Sequence, residues 1–299
     1  MLRALAVSFA LLAVNPGPGA AQQAPPAVAV SNQVNSEASN DQPSPHSISA
    51  AGSSSDEDSA AEKELLAAAN KSRELAGVPA LRMDESLREA ARAHARRMIA
   101  SDRLEHQLSG EPALLQRIAQ ASPLRMDRAG ENLANASCAP GANEVLMRSA
   151  PHRQNLLDRG FNIAGVAAFW SKGRLYVVQD FAHEVPSYSA QQSGKLVGQA
   201  VDEVRQQAGL SELAQFTPPN LDQAACSLAK ENLPNARLLA AAYDNRKIIT
   251  YTQSRPEVLP PGALRLLRDP AVRQFAVGSC YARNANYPTG MYWVAILLY

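Results

Sequence analysis

Two short apolar runs near the middle of the chain restrict the fold most strongly. Residues 163–170 (IAGVAAFW) and 174–181 (RLYVVQDF) are rich in aromatic and β-branched side chains, which is typical of β-strands. Only Ser171, Lys172 and Gly173 separate them, and a loop of this length predicts a hairpin. Because both runs are apolar at nearly every position, both faces of the sheet must be covered. The pair therefore favours a small antiparallel sheet between two layers of helices, an α/β/α sandwich.

Helical periodicity dominates the residues before these runs. A helix is predicted over residues 62–76, where apolar residues recur at helical spacing and Gly77 stops the pattern. A second helix is predicted from Asp84, a good N-cap residue. Shorter helical patterns follow at residues 114–118 and 141–157. These helices supply the layers that the sheet needs.

The N-terminal residues have the pattern of an export signal. Residues 1–21 combine an early basic residue, a short apolar run and small residues before a cleavage point after Ala21, which predicts a signal peptide. A membrane anchor is the less favoured alternative, since Asn15 and Pro16 cut the run short of the about 20 apolar residues that span a bilayer. Residues 22–60 have no aromatic residue and are predicted to be a disordered linker. No later segment is apolar enough to span a membrane.

Charge and cysteine content narrow the class of protein further. The formal net charge is +1, and no basic stripe points to a nucleic-acid partner. Three cysteines in an exported chain allow one disulfide and leave one thiol over. Cys226, in a helical stretch, and Cys280, in a strand stretch, are the predicted pair, with Cys138 as the remaining thiol.

An ordered series of short motifs resembles the CAP superfamily, which contains cysteine-rich secretory proteins, pathogenesis-related proteins, venom allergens and many bacterial SCP-like proteins. The order and spacing are similar to its short bacterial form. The resemblance implies a CAP domain at residues 61–186, of the α+β class and built as a three-layer α/β/α sandwich. The matching positions are Asn70, Arg73, Gly77, Leu81, Asp84, Leu87, Ala91, His94, Ala95, Met98, His106, residues 130–134 (GENLA), Ser149, His152, Arg153, Asn155, Leu156, Leu157, Gly165, Val166 and residues 176–181 (YVVQDF).

The same resemblance implies a cleft. In that family two histidines and one or two glutamates share a cleft that can hold a metal such as Zn²⁺, and His106, His152 and Glu131 occupy the matching positions. The second glutamate of longer family members falls near Ala150, where no carboxylate stands, and Glu144 is a poor substitute. The expected set is therefore a triad.

Each triad residue also has a plainer interpretation. His106 could be an exposed, solvated histidine, and His152 could lie at a helix start. Glu131 could accept backbone hydrogen bonds in a turn after Gly130. His94 lies on the apolar stripe of its helix and is interpreted as a core histidine.

Three ligands would leave a zinc ion one open position. Hydrolysis is nevertheless less persuasive than binding, because no second carboxylate offers a general base. A nucleophile paired with His152, either Ser149 or Cys138, lacks an oriented acid partner.

The C-terminal residues 190–299 resemble a second, degenerate copy of the same fold. The alternative is a separate, smaller α+β domain with accidental likeness. In the alignment of the two halves, Val272 stands opposite His152, and no histidine follows His183. Any histidine chemistry therefore belongs to the first half.

These observations predict a secreted, extracellular or periplasmic binding module. Its ligand is expected to be a lipid, a metal or a protein, bound through the cleft of His106, Glu131 and His152. Two alternatives stay open at this point: a metal-dependent hydrolase, and a purely structural or interaction protein.

Overall fold

The computed structural model describes residues 56–243 and 247–299. The predicted signal peptide and most of the predicted linker lie outside the described residues. The end of the linker assignment needs correction, because strand β1 (Asp56–Glu57) and helix α1 (Ser59–Leu75) are ordered. Asp58 accepts a hydrogen bond from the Ala61 N–H at 2.9 Å and another from Trp170 Nε1 at 3.0 Å. This acidic segment caps a helix, so residues 56–60 belong to the first lobe and not to the linker.

The first lobe, residues 56–186, is a three-layer sandwich, as predicted. Its sheet has the order β1-β4-β5-β3, with β2 added beside β4. Helices α1, α4 and α5 cover one face of the sheet, and helices α2 and α3 cover the other. Besides β1 and α1, the elements are β2 (Arg82–Met83), α2 (Glu85–Ser101), α3 (Leu114–Ala121), β3 (Met126–Ala136), α4 (Ala139–Arg148), α5 (Ala150–Leu156), β4 (Ile163–Ser171) and β5 (Arg174–Glu184).

The predicted hairpin is confirmed as β4 and β5, with a shorter turn than expected. Ser171 pairs with Arg174, so only Lys172 and Gly173 form the turn. Both have positive φ, 51° and 74°, as a two-residue turn that follows the strand twist requires. The turn fixes the register of β4 on β5.

Gly165 explains how closely helix α2 approaches this sheet. A Cβ atom at Gly165 would lie 2.1 Å from the carbonyl carbon of Leu87, far inside van der Waals contact. A side chain here would push α2 off the sheet. Since α2 leads into the loop that carries His106, this contact helps to place the predicted cleft.

The second lobe, residues 190–299, has its own sheet in the order β6-β8-β9-β7. The β6–β8 pair is parallel and the other two pairs are antiparallel. Cys226 and Cys280 form a disulfide, and Cys138 is a free, exposed cysteine. The elements are α6 (Ala190–Gln207), β6 (Ala214–Gln215), α7 (Leu221–Lys230), α8 (Arg237–Ala240), β7 (Lys247–Gln253), α9 (Pro261–Leu267), β8 (Gln274–Ala282) and β9 (Met291–Leu298).

Arg125 joins the two lobes. Its guanidinium is buried and lies over the rings of Tyr281 and Tyr292, at 4.8 and 4.2 Å from their centroids. It also donates to Tyr292 Oη at 3.0 Å and to the Ser254 carbonyl at 2.5 Å. Because Arg125 stacks on two aromatic rings and also donates hydrogen bonds, it makes the interface between the lobes specific.

No helix in the described ranges is long and apolar enough to cross a membrane.

Candidate functional site

Strand β3 brings the predicted cleft residues together. It is the edge strand of the first-lobe sheet, and successive side chains of a strand point to opposite faces. Glu131 therefore faces the layer of α2 and α3, while Asn132 faces the layer of α5. His106 follows α2 and His152 lies in α5, and their ring centroids are 6.5 Å apart. The two histidines come from opposite layers and meet around the edge of the sheet.

Glu131 is the buried anchor of this cluster. Its side chain is 1% exposed, its Oε1 lies 2.7 Å from His106 Nδ1, and its Oε2 accepts from Arg117. Burial alone would raise the pKa of Glu131, but the hydrogen bond from His106 and the charge of Arg117 outweigh it and lower that pKa. The alternative interpretations of Glu131 as a turn residue and of His106 as a solvated histidine are therefore wrong.

His152 completes the cluster from the other side. Asn132 Nδ2 donates to the His152 carbonyl at 3.0 Å and so fixes the start of α5 against β3. Burial, and then the charge of His106, lower the pKa of His152. Its Nδ1 is buried without a partner among the described residues. The Nε2 atoms of His106 and His152 make no hydrogen bond there and are not buried, so both can be reached from solvent.

His94 lies behind this cluster and is a core histidine, as interpreted from the sequence. Its ring is fully buried, with Nδ1 2.9 Å from Glu111 Oε1 and Nε2 3.0 Å from the Glu105 carbonyl. Both ring nitrogens lie against oxygen atoms inside the protein, so His94 has no free atom to offer a ligand. His94 also packs beside Glu131, because the distance from His94 Nε2 to Glu131 Oε2 is 3.7 Å.

Sequence reasoning missed Asp180 and Arg117. Asp180 is the cross-strand partner of Glu131, and its fully buried carboxyl has no hydrogen-bond donor among the described side chains. Burial, and then the charge of Glu131, raise the pKa of Asp180 well above its ordinary value. The sequence did contain one signal for Asp180, which is an acidic residue inside an apolar strand run. Because burying a carboxylate is costly, such a residue indicates a special role.

Replacing Asp180 by asparagine should change how stability depends on pH. In the folded chain Asp180 keeps its proton at pH values where the unfolded chain has lost it, so the contribution of this group to stability falls as pH rises above about 4. An asparagine amide can donate to Glu131 without titrating. We expect Asp180→Asn to unfold with a higher free energy than wild type at pH 8, and its stability to fall less steeply as the pH rises above about 4.

Urea unfolding across that pH range measures the effect of this change. Asp102→Asn is the control, because Asp102 is exposed and has a left-handed backbone (φ 54°) that asparagine adopts easily. An unchanged slope in Asp180→Asn would show that Asp180 is already ionised in the folded chain.

The cleft residues do not fit a three-ligand zinc site as they are arranged. Both Glu131 oxygens are engaged, by His106 and by Arg117. Two imidazoles on one tetrahedral zinc ion, with Zn–N near 2.0 Å, would bring their centroids to about 5 Å, whereas these lie 6.5 Å apart. In the ranges 56–243 and 247–299, no three histidine, cysteine or acidic side chains are grouped to hold a metal.

Comparison with known proteins identifies the first lobe. The model of the Cysteine-rich secretory protein family, CAP, matches residues 66–181, so the resemblance read from the motifs is confirmed for this lobe. No curated protein matches the chain.

Several solved structures are similar to part of the chain. An extracellular protein containing an SCP domain from Bacillus anthracis is 23% identical, with a TM-score of 0.39 over 42% of this chain and 40% of that one. An outer surface protein from Borrelia burgdorferi is 17% identical, with a TM-score of 0.42 over 45% of this chain and 100% of that one. A cysteine-rich secretory protein from Staphylococcus aureus is 19% identical, with a TM-score of 0.35 over 42% and 39%. The chain thus spans about two fifths of the Bacillus and Staphylococcus proteins.

Proposed function

We propose that the first lobe is an exported binding domain whose cleft recognises an acidic group, a carboxylate or phosphate, on a lipid or protein ligand. The observation that carries this proposal is the pair of imidazoles that meet around β3 with both Nε2 atoms accessible. Imidazole nitrogens at the mouth of a cleft offer directed hydrogen bonds to such a group. Binding, and not turnover, is the function that this geometry supports best.

The charges around the cleft favour an acidic group over a basic one. The negative charge of Glu131 is matched by Arg117, and the raised pKa of Asp180 favours the neutral form of that carboxyl. His106 directs Nδ1 at a carboxylate, which places its proton there. A buried Nδ1 without a partner on His152 favours the tautomer that carries the proton on Nε2, since a buried N–H without an acceptor is costly. His152 then presents an Nε2–H donor to the ligand, while His106 presents Nε2 as an acceptor for the O–H of a partly protonated phosphate or carboxyl group.

Export rests on two supports. The N-terminal residues predict a signal peptide. The Cys226–Cys280 disulfide is in keeping with an oxidising compartment. We therefore place the mature protein outside the cytoplasm, either secreted or periplasmic.

Calorimetric titration of the full chain with inorganic phosphate tests the proposal. We expect one-site binding that weakens at least about tenfold in His152→Gln and in His106→Gln, the loss that follows from removing one charge-assisted hydrogen bond. His183→Gln is the control, because His183 pairs with Asp127 at 2.7 Å and belongs to no part of the cleft. Equal binding by wild type and both cleft variants would contradict the proposal.

A separate zinc titration of the same variants decides the metal alternative. The poor fit of the triad to zinc predicts no one-site zinc binding that depends on His106 and His152. If zinc binds with one site that His152→Gln abolishes, a metal replaces the acidic group as the ligand, and the hydrolase alternative becomes worth screening.

We also propose that the second lobe is a degenerate copy of the first. Both sheets share one strand order once β1 is set aside. Arg73 donates from Nε to the carbonyl six residues later, at Pro79, and Arg205 does the same at Ser211. A Cβ at Gly278 would lie 2.4 Å from the Leu221 carbonyl oxygen, the same close approach of helix to strand that Gly165 permits. These likenesses support a duplication.

The hydrogen bonds of Arg73 and Arg205 lead to a different alignment of the two halves from the one based on sequence. Arg73 Nη1 binds the carbonyls of Leu156 and Asp158, and Arg205 Nη1 binds those of Leu267 and Asp269. Matching these carbonyls places Ala263, and not Val272, opposite His152. The alignment that used Val272 was shifted, because the loop before β8 differs in sequence from the loop before β4. In either alignment the second lobe lacks the histidine.

A further inference from the structure

A groove lies between α7 and β8 in the second lobe, well away in sequence from the histidine cleft. It encloses about 520 Å³, a volume within the range of small-ligand sites. One face of α7 forms a wall, and the Cys226–Cys280 disulfide forms part of the floor. The α7–β8 groove is lined by Tyr188, Ala190, Asp222, Gln223, Cys226, Ser227, Lys230, Ser279, Cys280 and Tyr281.

The groove exposes an open strand edge. On one side β8 pairs with β9, and on the other it pairs with β6 only at Gln274 and Phe275. No other strand of the described ranges covers that side of β8. The corresponding edge of β4 in the first lobe accepts a second strand, β1, which pairs antiparallel at Phe169 and Trp170. The same edge in the second lobe therefore has the geometry to accept an extended chain.

The backbone of β8 points hydrogen-bonding groups into the groove. The Ser279 N–H donates to Asp222 Oδ1 at 2.8 Å and so faces the open side of the strand. Because the direction of backbone groups alternates along a strand, Tyr281, which also lines the groove, presents its N–H and carbonyl to the same side. Ser279 Oγ is also buried without a partner within the described ranges. Unsatisfied polar atoms beside a groove favour a ligand with hydrogen-bonding groups of its own.

Opposite charges stand at the two ends of the groove. Asp222 lies in the first turn of α7, and Lys230 is the last residue of that helix. Eight residues of helix separate them by about 12 Å. Lys230 forms no ion pair with any acidic side chain that the structure describes. Three to four residues of extended chain, at about 3.3 Å each, cover the same length.

We propose that the α7–β8 groove binds a short peptide with both termini free. The peptide main chain lies along the open edge of β8, in the mode by which an extended segment adds to a sheet. Its ammonium group meets Asp222 and its carboxylate meets Lys230. The rings of Tyr188 and Tyr281 and the disulfide provide the apolar contact for its side chains.

Calorimetric titration of the full chain with trialanine tests this site. We expect one-site binding with a dissociation constant in the millimolar range or tighter, and at least tenfold weaker binding by Lys230→Gln. Trialanine acetylated at its N-terminus and amidated at its C-terminus should bind at least tenfold more weakly to wild type. Lys195→Gln is the matched control, since it removes an exposed lysine from α6, which contributes no lysine to the groove.

Three results would overturn the peptide site, and the first two are no binding of trialanine to wild type at 10 mM and equal affinity in wild type and Lys230→Gln. Equal binding of the free and the blocked peptide would do the same, since recognition of the termini is the core of the proposal. The double change of His106 and His152 to glutamine should leave trialanine binding unchanged, which separates this groove from the cleft of the first lobe.

Discussion

Replacing Arg73 by methionine is expected to lower the free energy of unfolding by about 4 kcal/mol. Arg73 is fully buried, and it forms no ion pair within the described ranges. Its guanidinium instead ties the end of α1 to the segment between α5 and β4. Methionine fills much of the same volume but leaves buried carbonyls without donors. The acceptors are the carbonyls of Pro79 at 2.7 Å, Leu156 at 2.9 Å, Asp158 at 2.9 Å and Phe161 at 3.0 Å.

Urea unfolding followed by circular dichroism measures this loss. Arg73→Lys keeps the charge but cannot reach all four carbonyls, so we expect an intermediate loss, which remains measurable if the methionine variant does not fold. Arg148→Met is the control, because the Arg148 side chain is 81% exposed. A loss below about 1 kcal/mol in Arg73→Met would show that water satisfies the four carbonyls equally well.

Removing the disulfide with Cys226→Ser and Cys280→Ser is expected to lower the stability of the second lobe by about 4 kcal/mol. The two cysteines are 54 residues apart, and closing a loop of that length in the unfolded chain accounts for a cost of this size. The bond also holds α7 against β8, so its loss should widen the peptide groove. Trialanine binding should weaken together with the stability.

The same unfolding measurement, with and without a thiol reductant, checks the disulfide. Cys138→Ser is the matched control, since Cys138 is exposed and unpaired, and it should unfold like wild type. If reductant leaves the unfolding midpoint of wild type unchanged, the bond contributes nothing measurable, and the expected cost is wrong.

Much of the first-lobe fold could be predicted, because its elements have local signals. The hairpin of β4 and β5 is visible in composition and turn length, and α2 begins at the N-cap Asp84, whose Oδ1 accepts from the N–H groups of Ser86 and Leu87. Strand β1 had no such signal. Its two residues are acidic and pair with Phe169 and Trp170, a contact that composition cannot reveal.

The cluster of His106, Glu131 and His152 was predictable in part. The resemblance named His106, Glu131 and His152, and the structure brings all three around β3. Arg117 and Asp180 were missed, because their roles depend on tertiary placement. Arg117 reaches Glu131 only through the docking of α3, and Asp180 faces Glu131 only through the register of β3 on β5. Arg117 occupies one oxygen of Glu131 and so contributes to the poor fit to zinc, whereas Asp180 adds a second buried carboxyl beside it.

Ring-nitrogen NMR of the histidines during a phosphate titration tests the central claim most directly. The chain has five histidines, which single substitutions can assign. We predict that His106 and His152 shift together along one binding curve, while His94, whose ring nitrogens both lie against oxygen atoms inside the protein, and His183 stay unchanged. Shifts at His183 alone, or no shift at the cleft pair at saturating phosphate, would contradict the assignment of this cleft as the binding site.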